Sequence, residues 1–355
     1  MRIADIPPAS LAVLRRGAVI PAHLLALNSE RKLDGRRQQA LARYYLDAGS
    51  GGLAVGVHST QFAIRKVGLY EPVLELAMRT ARDWTPLGGK RALFMIAGVA
   101  GGAEQAVREA GVARGLGYHA ALLSLAAMQG AGEDELIAHC RAVAEVMPLV
   151  GFYLQPAVGG IELAARFWQR FAAIDNVVAI KIAPFNRYRT LDVLRGVAAA
   201  RAEDRITLYT GNDDHIVLDL VAPFVIARDD GHVTLRIKGG LLGHWSVWTR
   251  RAVELLQRIH AAVAAGRIDD DLLALDGQVT DCNSAFFDVA NNFRGCIAGC
   301  HEVLRRQGLF EGIWCLDPAE GMSPGQAEEI RRIQAAYPDL NDDEFVALHR
   351  ARWLG

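Results

Sequence analysis

Leu149-Val150-Gly151-Phe152-Tyr153-Leu154 is followed, after a short Pro/Gly-containing stretch, by Glu162 to Ala173 and then by Val177-Val178-Ala179-Ile180-Lys181-Ile182. The outer two runs are short and apolar. The middle one repeats its apolar residues, Leu163, Phe167 and Phe171, at helical spacing. Together they read as strand, helix, strand, a unit whose strands lie parallel in one sheet and whose crossover is right-handed.

The alternation continues in both directions. Upstream, strands are expected at Ala18–Leu27, Gly52–Gly56, Ala92–Ala97 and Ala120–Ser124, with helices at Arg36–Ala48, Glu71–Trp84, Ala103–Gly115 and Glu133–Val146. Downstream, Arg189–Ala200 reads as a helix, Ile206–Thr210 as a strand, Asp214–Leu220 as a short helix, Val233–Ile237 as a strand and Trp245–Ala265 as a helix. Eight β/α units in about 250 residues point to an α/β fold of the (β/α)8 TIM-barrel type. A dinucleotide-binding sheet would place a glycine-rich turn after its first strand, and Asn28-Ser29-Glu30-Arg31 contains no glycine. The expected organisation is a barrel over residues 1–265 carrying the active site. A C-terminal helical extension over 266–355 is expected to pack on it as an appended bundle.

Composition narrows the function. The chain has 355 residues, is 51% hydrophobic and 22% charged, and has a formal net charge of −1. Near-neutral charge without a basic tract argues against nucleic acid or an anionic membrane as the main partner. No apolar run reaches the 18 or more residues of a membrane span, and residues 1–16 lack a signal-peptide pattern, so a cytoplasmic location is expected. The five cysteines, Cys140, Cys282, Cys296, Cys300 and Cys315, do not form a disulfide framework. Cys296 and Cys300 are assigned to core packing.

In a barrel of this kind the chemistry sits at the C-terminal ends of the strands. The polar residues expected there are Ser59 and Thr60, Ser124, Tyr153, Lys181, the run Gly211-Asn212-Asp213-Asp214-His215, Lys238 and His244. The chain has only five lysines among its 39 basic residues, so a lysine inside Val-Val-Ala-Ile-Lys-Ile stands out. Burial lowers a lysine's pKa, and a neutral amine attacks carbonyls to form imines. The alternative is a structural lysine paired with a carboxylate such as Asp213; Lys238 is the rival imine-former. Tyr153, one strand earlier, would bring a phenol beside the amine as a proton relay, or would simply line the barrel. Ser59 and Thr60 offer hydroxyls to a carboxylate. Residues 211–215 read either as metal ligands or, preferably, as a helix cap. Arg187 and Arg189 are read as solvated.

These residues resemble the dihydrodipicolinate synthase/N-acetylneuraminate lyase superfamily of class I aldolases. Phe152-Tyr153-Leu154-Gln155-Pro156 is similar to its Tyr-Asn-x-Pro segment, Val178-Ala179-Ile180-Lys181 to its Gly-Ile-Lys segment, and Thr210-Gly211-Asn212-Asp213 to its Ser-Gly-Asp-Asp turn. Leu304–Leu309, Leu316-Asp317-Pro318 and Met322-Ser323-Pro324 resemble its C-terminal helices. The resemblance implies that Lys181 forms the imine and Tyr153 transfers protons. It also implies that Ser59 and Thr60 hold the carboxylate of a 2-oxo acid and that Gly211 lines the pocket floor. It further implies a homotetramer or homodimer, with neither metal nor organic cofactor.

The chain also departs from the family. The usual Gly-Thr-Thr-Gly-Glu loop is replaced by Gly56-Val57-His58-Ser59-Thr60-Gln61-Phe62. Ala126-Ala127 stands where dihydrodipicolinate synthase has a relay tyrosine, and Val158 where it has a carboxylate-binding arginine. Ile182-Ala183-Pro184-Phe185 is apolar where the family is polar. The expectation is therefore a Schiff-base lyase, of aldolase or dehydratase type, acting on a 2-oxo acid such as pyruvate with a less polar aldehyde partner. It is not expected to be dihydrodipicolinate synthase. Two other readings stand beside it: a metal-dependent barrel enzyme using His58, Asp213, Asp214, His215 or His244, and a non-catalytic small-molecule-binding member of the family.

Overall fold

A computed structural model describes residues 1–355. Seven parallel strands form one curled sheet: β1 (Ala54–Val55), β2 (Ile96–Val99), β3 (Ala120–Leu123), β4 (Leu149–Leu154), β5 (Val177–Ala183), β6 (Thr207–Thr210) and, after a hairpin of β7 (Phe224–Arg228) and β8 (Gly231–Leu235), β9 (Ile237–Gly240). The first-strand stretch, Ala18–Leu27, closes the ring from β9 to β1, but by isolated bridges, Val19 to Gly240 and Ala22 to Ala54. Pro21 in its middle has no N–H for a continuous ladder. The result is a TIM barrel with eight positions, the Ala18–Leu27 segment being the first and β5 the sixth.

One expected strand is displaced. Val233 belongs to the antiparallel β7–β8 hairpin, and the eighth barrel position is β9, beginning at Ile237. The tight turn at Asp229-Asp230-Gly231, with Gly231 at φ +131°, supplies a hairpin where one long strand was expected. Lys238 accordingly lies on the exposed side of β9, where His260 contacts its backbone carbonyl. It is no longer a rival to Lys181.

Two apolar layers hold the barrel. The interior is filled by Phe94, Ile96, Leu122, Val150, Val178 and Tyr209. The helix Pro8–Arg16 contributes Val13 and Leu14 to the same cluster, and the Tyr209 hydroxyl donates to Leu14 O (2.9 Å) and accepts from Ala18 N (3.1 Å). This helix therefore plugs one end of the barrel. The larger outer cluster joins the strands' other faces to the surrounding helices. Burying side chains of Leu, Ile, Phe or Val size stabilises by about 1.5–3 kcal/mol each, so these layers dominate the fold's stability.

The helices Asp270–Phe286, Cys296–Arg306, Gln326–Ala336 and Asp343–Leu354 pack on the barrel through buried polar anchors as well as apolar contacts. Asp342 accepts from the Tyr44 hydroxyl (2.6 Å) and from the opening amides of the helix Thr249–Ala265, Arg250 N and Arg251 N. Asp276 accepts from Val217 N (3.0 Å) and Leu218 N (3.1 Å), capping the short helix Ile216–Val221. The cap expected from Asn212, Asp213 or Asp214 is thus supplied by a distant carboxylate, which leaves the 211–215 turn free of that role.

Candidate active site

Parallel pairing dictates which side chains enter the barrel. On β5, Ala179, Lys181 and Ala183 point inward, while Ile180 and Ile182 join the outer layer. Leu149 on β4 faces Val177, a register that would carry Tyr153 opposite Lys181. A register shift intervenes: Val150 faces Ala179, so Phe152 stands opposite Lys181 and Tyr153 opposite Ile182. A slip of one residue exchanges the two faces of a strand. The Lys181 Nζ therefore lies 4.4 Å from the centroid of the Phe152 ring, a cation–π contact when the amine is charged.

Tyr153 faces the helical layer instead. Its ring packs on Trp168 (centroids 5.2 Å apart), and its hydroxyl accepts from Leu163 N (3.1 Å). The expected phenol–amine meeting does not form. We predict that Tyr153→Phe loses only that hydrogen bond, about 1 kcal/mol of stability, and turns over at the parent rate. Thermal unfolding and steady-state assays check this, and a hundredfold loss of rate would contradict it.

A cavity opens at the C-terminal end of the barrel, over Lys181. It encloses about 80 Å³, against the roughly 10–15 Å³ that one water needs, so a small organic acid fits. Its polar lining comprises Lys181, His58, Ser59, Gln155 and Asp213, with Gly211 beside the lysine. The apolar lining includes Phe152 and Leu154 from β4, Val158 and Phe185 from the barrel loops, and Phe287, Phe293, Cys296, Ile297 and Cys300 from the C-terminal helices and the loop between them. Cys296 and Cys300 thus border the cavity, not just the core, and burial pushes the Cys296 thiol up to about 12. Lys181 is the one Lys or Arg side chain in the lining.

The loop after β1 carries His58 and Ser59. A 3-10 turn, His58–Thr60, leaves its opening amides without intrahelical partners. The Thr60 hydroxyl is buried; it donates to His23 O (2.6 Å) and accepts from Gly56 N (3.0 Å). Thr60 therefore ties the loop to the barrel rather than presenting its hydroxyl to the cavity, and of the expected Ser59–Thr60 pair only Ser59 lines it. Arg65, paired with the buried Glu109 (2.9 Å), donates to Gly56 O and Gly98 O and fixes the loop's base.

The turn after β6 is braced in the same way. Asp219 is fully buried and accepts from Thr210 Oγ1 (2.7 Å), Asn212 Nδ2 (2.9 Å) and Arg187 Nη1 (2.6 Å). Arg187 is thereby committed to an ion pair. Gly211 is required by contact: a Cβ there would lie 2.6 Å from Lys181 Cε and 2.8 Å from Ala183 Cβ. Above the cavity, Phe185 (φ +51°) and Phe293 (φ +63°) hold left-handed backbone conformations and meet edge to face, with centroids 5.9 Å apart. Such non-glycine outliers cost on the order of 1–3 kcal/mol each and cluster at ligand-binding places.

Electrostatics single out three groups. Burial lowers the Lys181 pKa below the ordinary lysine value, opposed by the negative charge of Asp213. Burial raises that of Asp213, opposed by Lys181 and reinforced by Asp214; its Oδ1 is buried without a hydrogen-bond partner. Burial and the Lys181 charge bring His58 down to about 4, so its imidazole is neutral at pH 7. The other proposed metal ligands do not converge: no group of three or more His, Cys, Asp or Glu side chains has metal-holding spacing.

The lysine shift carries a pH prediction. The neutral amine is the attacking species, so the rate of imine trapping rises with pH through the lowered pKa. It should level off below the roughly 10.4 of a free lysine. Asp213→Asn removes the charge that opposes the shift, so the rise moves to lower pH. A displacement of that profile to higher pH would contradict the assignment.

The Dihydrodipicolinate synthetase family profile matches residues 15–336. The chain belongs to this family. A curated relative, the 4-hydroxy-tetrahydrodipicolinate synthase of Desulforudis audaxviator, is 28% identical over 251 residues, covering 70% of this chain and 80% of that protein. The fold is shared with the dihydrodipicolinate synthase of Acinetobacter baumannii complexed with pyruvate (TM-score 0.72, 18% identity, 90% of this chain and 98% of that one). It is shared also with the N-acetylneuraminate lyase of Fusobacterium nucleatum (TM-score 0.70, 15% identity, 91% and 99%).

Proposed function

We propose that the protein is a Schiff-base lyase acting on 2-oxo acids, and that Lys181 is its catalytic residue. The observation that carries the reading is an amine held at the C-terminal end of a barrel strand, in an enclosed cavity that lowers its pKa, with no other lysine in reach. Family membership and the pyruvate complex of the Acinetobacter baumannii relative support it.

The neutral Lys181 Nζ adds to the keto carbon, giving a carbinolamine. Loss of hydroxide, protonated to water, leaves an iminium. Loss of a proton from C3 sends its electron pair toward the iminium nitrogen and forms an enamine. The enamine C3 then attacks an aldehyde carbon, or the reverse sequence breaks that bond; water finally releases the amine. In this reading the Ser59 hydroxyl and the opening amides of its turn hold the carboxylate; Ser59 lines the same cavity as the amine. The nitrogen is the electron sink, so the residues themselves supply the chemistry.

The far end of the substrate meets Val158, Phe185, Phe287 and Phe293, and no arginine. We predict that aspartate semialdehyde is a poor acceptor. A charge-assisted hydrogen bond of the kind an arginine gives a carboxylate is worth about 1.5–3 kcal/mol, roughly 10- to 150-fold in specificity. The test is pyruvate release from a panel of 4-hydroxy-2-oxo acids, followed by a coupled assay. Acids with apolar or aromatic substituents should release pyruvate faster than those ending in a carboxylate. Preference for the carboxylate-bearing acids would overturn the acceptor assignment, and no release from any member would overturn the lyase reading.

A further inference from the structure

The proton chemistry of this site has no phenol to carry it. Tyr153 lies on the outer face of β4, and the side chain that the shifted register sets opposite Lys181 is Phe152, which has no exchangeable proton. The groups lining the cavity that exchange protons in the ordinary range are therefore few: His58, Asp213 and Lys181 itself. The thiols of Cys296 and Cys300 are pushed up by burial and sit at the apolar end.

Topology separates the two remaining candidates. Asp213 follows β6, the strand next to β5, so it stands on the lysine's own side of the ring. His58 follows β1, four positions around the barrel from β5, and faces Lys181 from the opposite wall. A small substrate joined to Nζ lies between them, with its carboxylate beside Ser59, the neighbour of His58. A base that removes a proton from C3 must stand within hydrogen-bond reach of it, and Asp213 is already engaged with the amine, whose charge it favours, whereas His58 lines the same cavity apart from it. No side-chain hydrogen bond ties up the His58 ring, which meets Phe62 edge to face with centroids 5.8 Å apart. Its neutral imidazole can accept a proton, and the Lys181 charge that disfavours imidazolium in the empty site is moved and delocalised as the enamine forms.

We infer that His58 is a catalytic residue, the base that takes the C3 proton from the Lys181 iminium and returns it when the enamine is protonated. The step balances: the C3–H bond breaks, its electron pair forms C2=C3, the iminium C=N pair returns to nitrogen, and imidazole becomes imidazolium. Asp213 is then a positioning residue, holding the lysine through its charge. This assignment rests on the Schiff-base reading above.

The test uses pyruvate alone. In deuterated water, enamine formation exchanges the methyl protons, which proton NMR follows. Borohydride trapping separately reports the imine on Lys181. His58→Asn should keep trapping within a few-fold of the parent and slow exchange by about 10²- to 10⁴-fold, the scale of general acid–base assistance. His58→Ala should regain exchange as free imidazole is added. Parent-level exchange in His58→Asn, or loss of trapping that imidazole does not restore, would overturn the assignment. So would Asp213→Asn losing exchange while His58→Asn keeps it. If the parent protein itself traps no pyruvate on Lys181, the Schiff-base reading fails instead, and the two failures are distinct.

Discussion

Lys181→Met should abolish turnover, lowering kcat by at least about 10⁴-fold, the scale on which removing one member of a covalent catalytic unit acts. The substitution keeps an unbranched side chain of similar length against Phe152, so packing survives. What disappears is the proposed nucleophile. No other group in the cavity replaces it: Lys238 lies on the exposed side of β9, and the remaining three lysines lie in parts of the chain outside the cavity lining. Asp213 loses the positive charge that holds its pKa down, and in its buried place it will take up a proton, which limits the cost to folding. The variant should therefore unfold near the parent temperature yet form no adduct and release no pyruvate from any 2-oxo acid. Retention of more than about one hundredth of the parent rate would show that the chemistry runs elsewhere.

Gly211→Ala is the second large effect, and it acts through geometry alone. The added methyl has no room: Lys181 Cε is 2.6 Å away and Ala183 Cβ 2.8 Å, inside any normal carbon–carbon contact. Because Ala183 is on the strand, the lysine's flexible stem is what gives. Overpacking of this kind costs about 1–3 kcal/mol, which a stable barrel absorbs. A reacting atom misplaced by about 1 Å can cost on the order of 10²-fold in rate. The expected outcome is a folded protein with kcat down about a hundredfold and trapping slowed in step. A variant with unchanged trapping would mean that Lys181 approaches its substrate by another path.

Much of this site was readable from the residues in order. The alternation of short apolar runs with amphipathic helices specifies the barrel, and a lysine within Val177–Ile182 marks the strand that puts an amine into the cavity. The side-by-side strand ends then place Gly211 beside it. What escaped the sequence has local physical causes. Phe152 and Tyr153 are adjacent aromatics, and which one stands opposite Lys181 depends on a single skipped residue, Val178, opposite the start of β4, something no propensity reports. The hairpin of β7 and β8 hid the eighth strand because Val233–Ile237 straddles a boundary between two ladders. Thr60 looked like half of a carboxylate cradle, but its hydroxyl is committed to His23 O and Gly56 N. His58 was visible only as one of several scattered metal-ligand candidates. The outer wall, Phe287, Phe293, Cys296 and Ile297, comes from the C-terminal helices and the loop joining them, where nothing in the periodicity says which residues turn toward the barrel mouth. The left-handed backbone at Asp288, Asn292 and Phe293 is the feature of that loop that a structure alone reveals.

The most direct test of the account is to incubate the protein with pyruvate and borohydride and map the modified peptide by mass spectrometry. One reduced pyruvate adduct per chain is expected, on Lys181 and absent from Lys181→Met. An adduct on Lys238 or any other lysine, or an unmodified chain after exposure to a panel of 2-oxo acids, would contradict it.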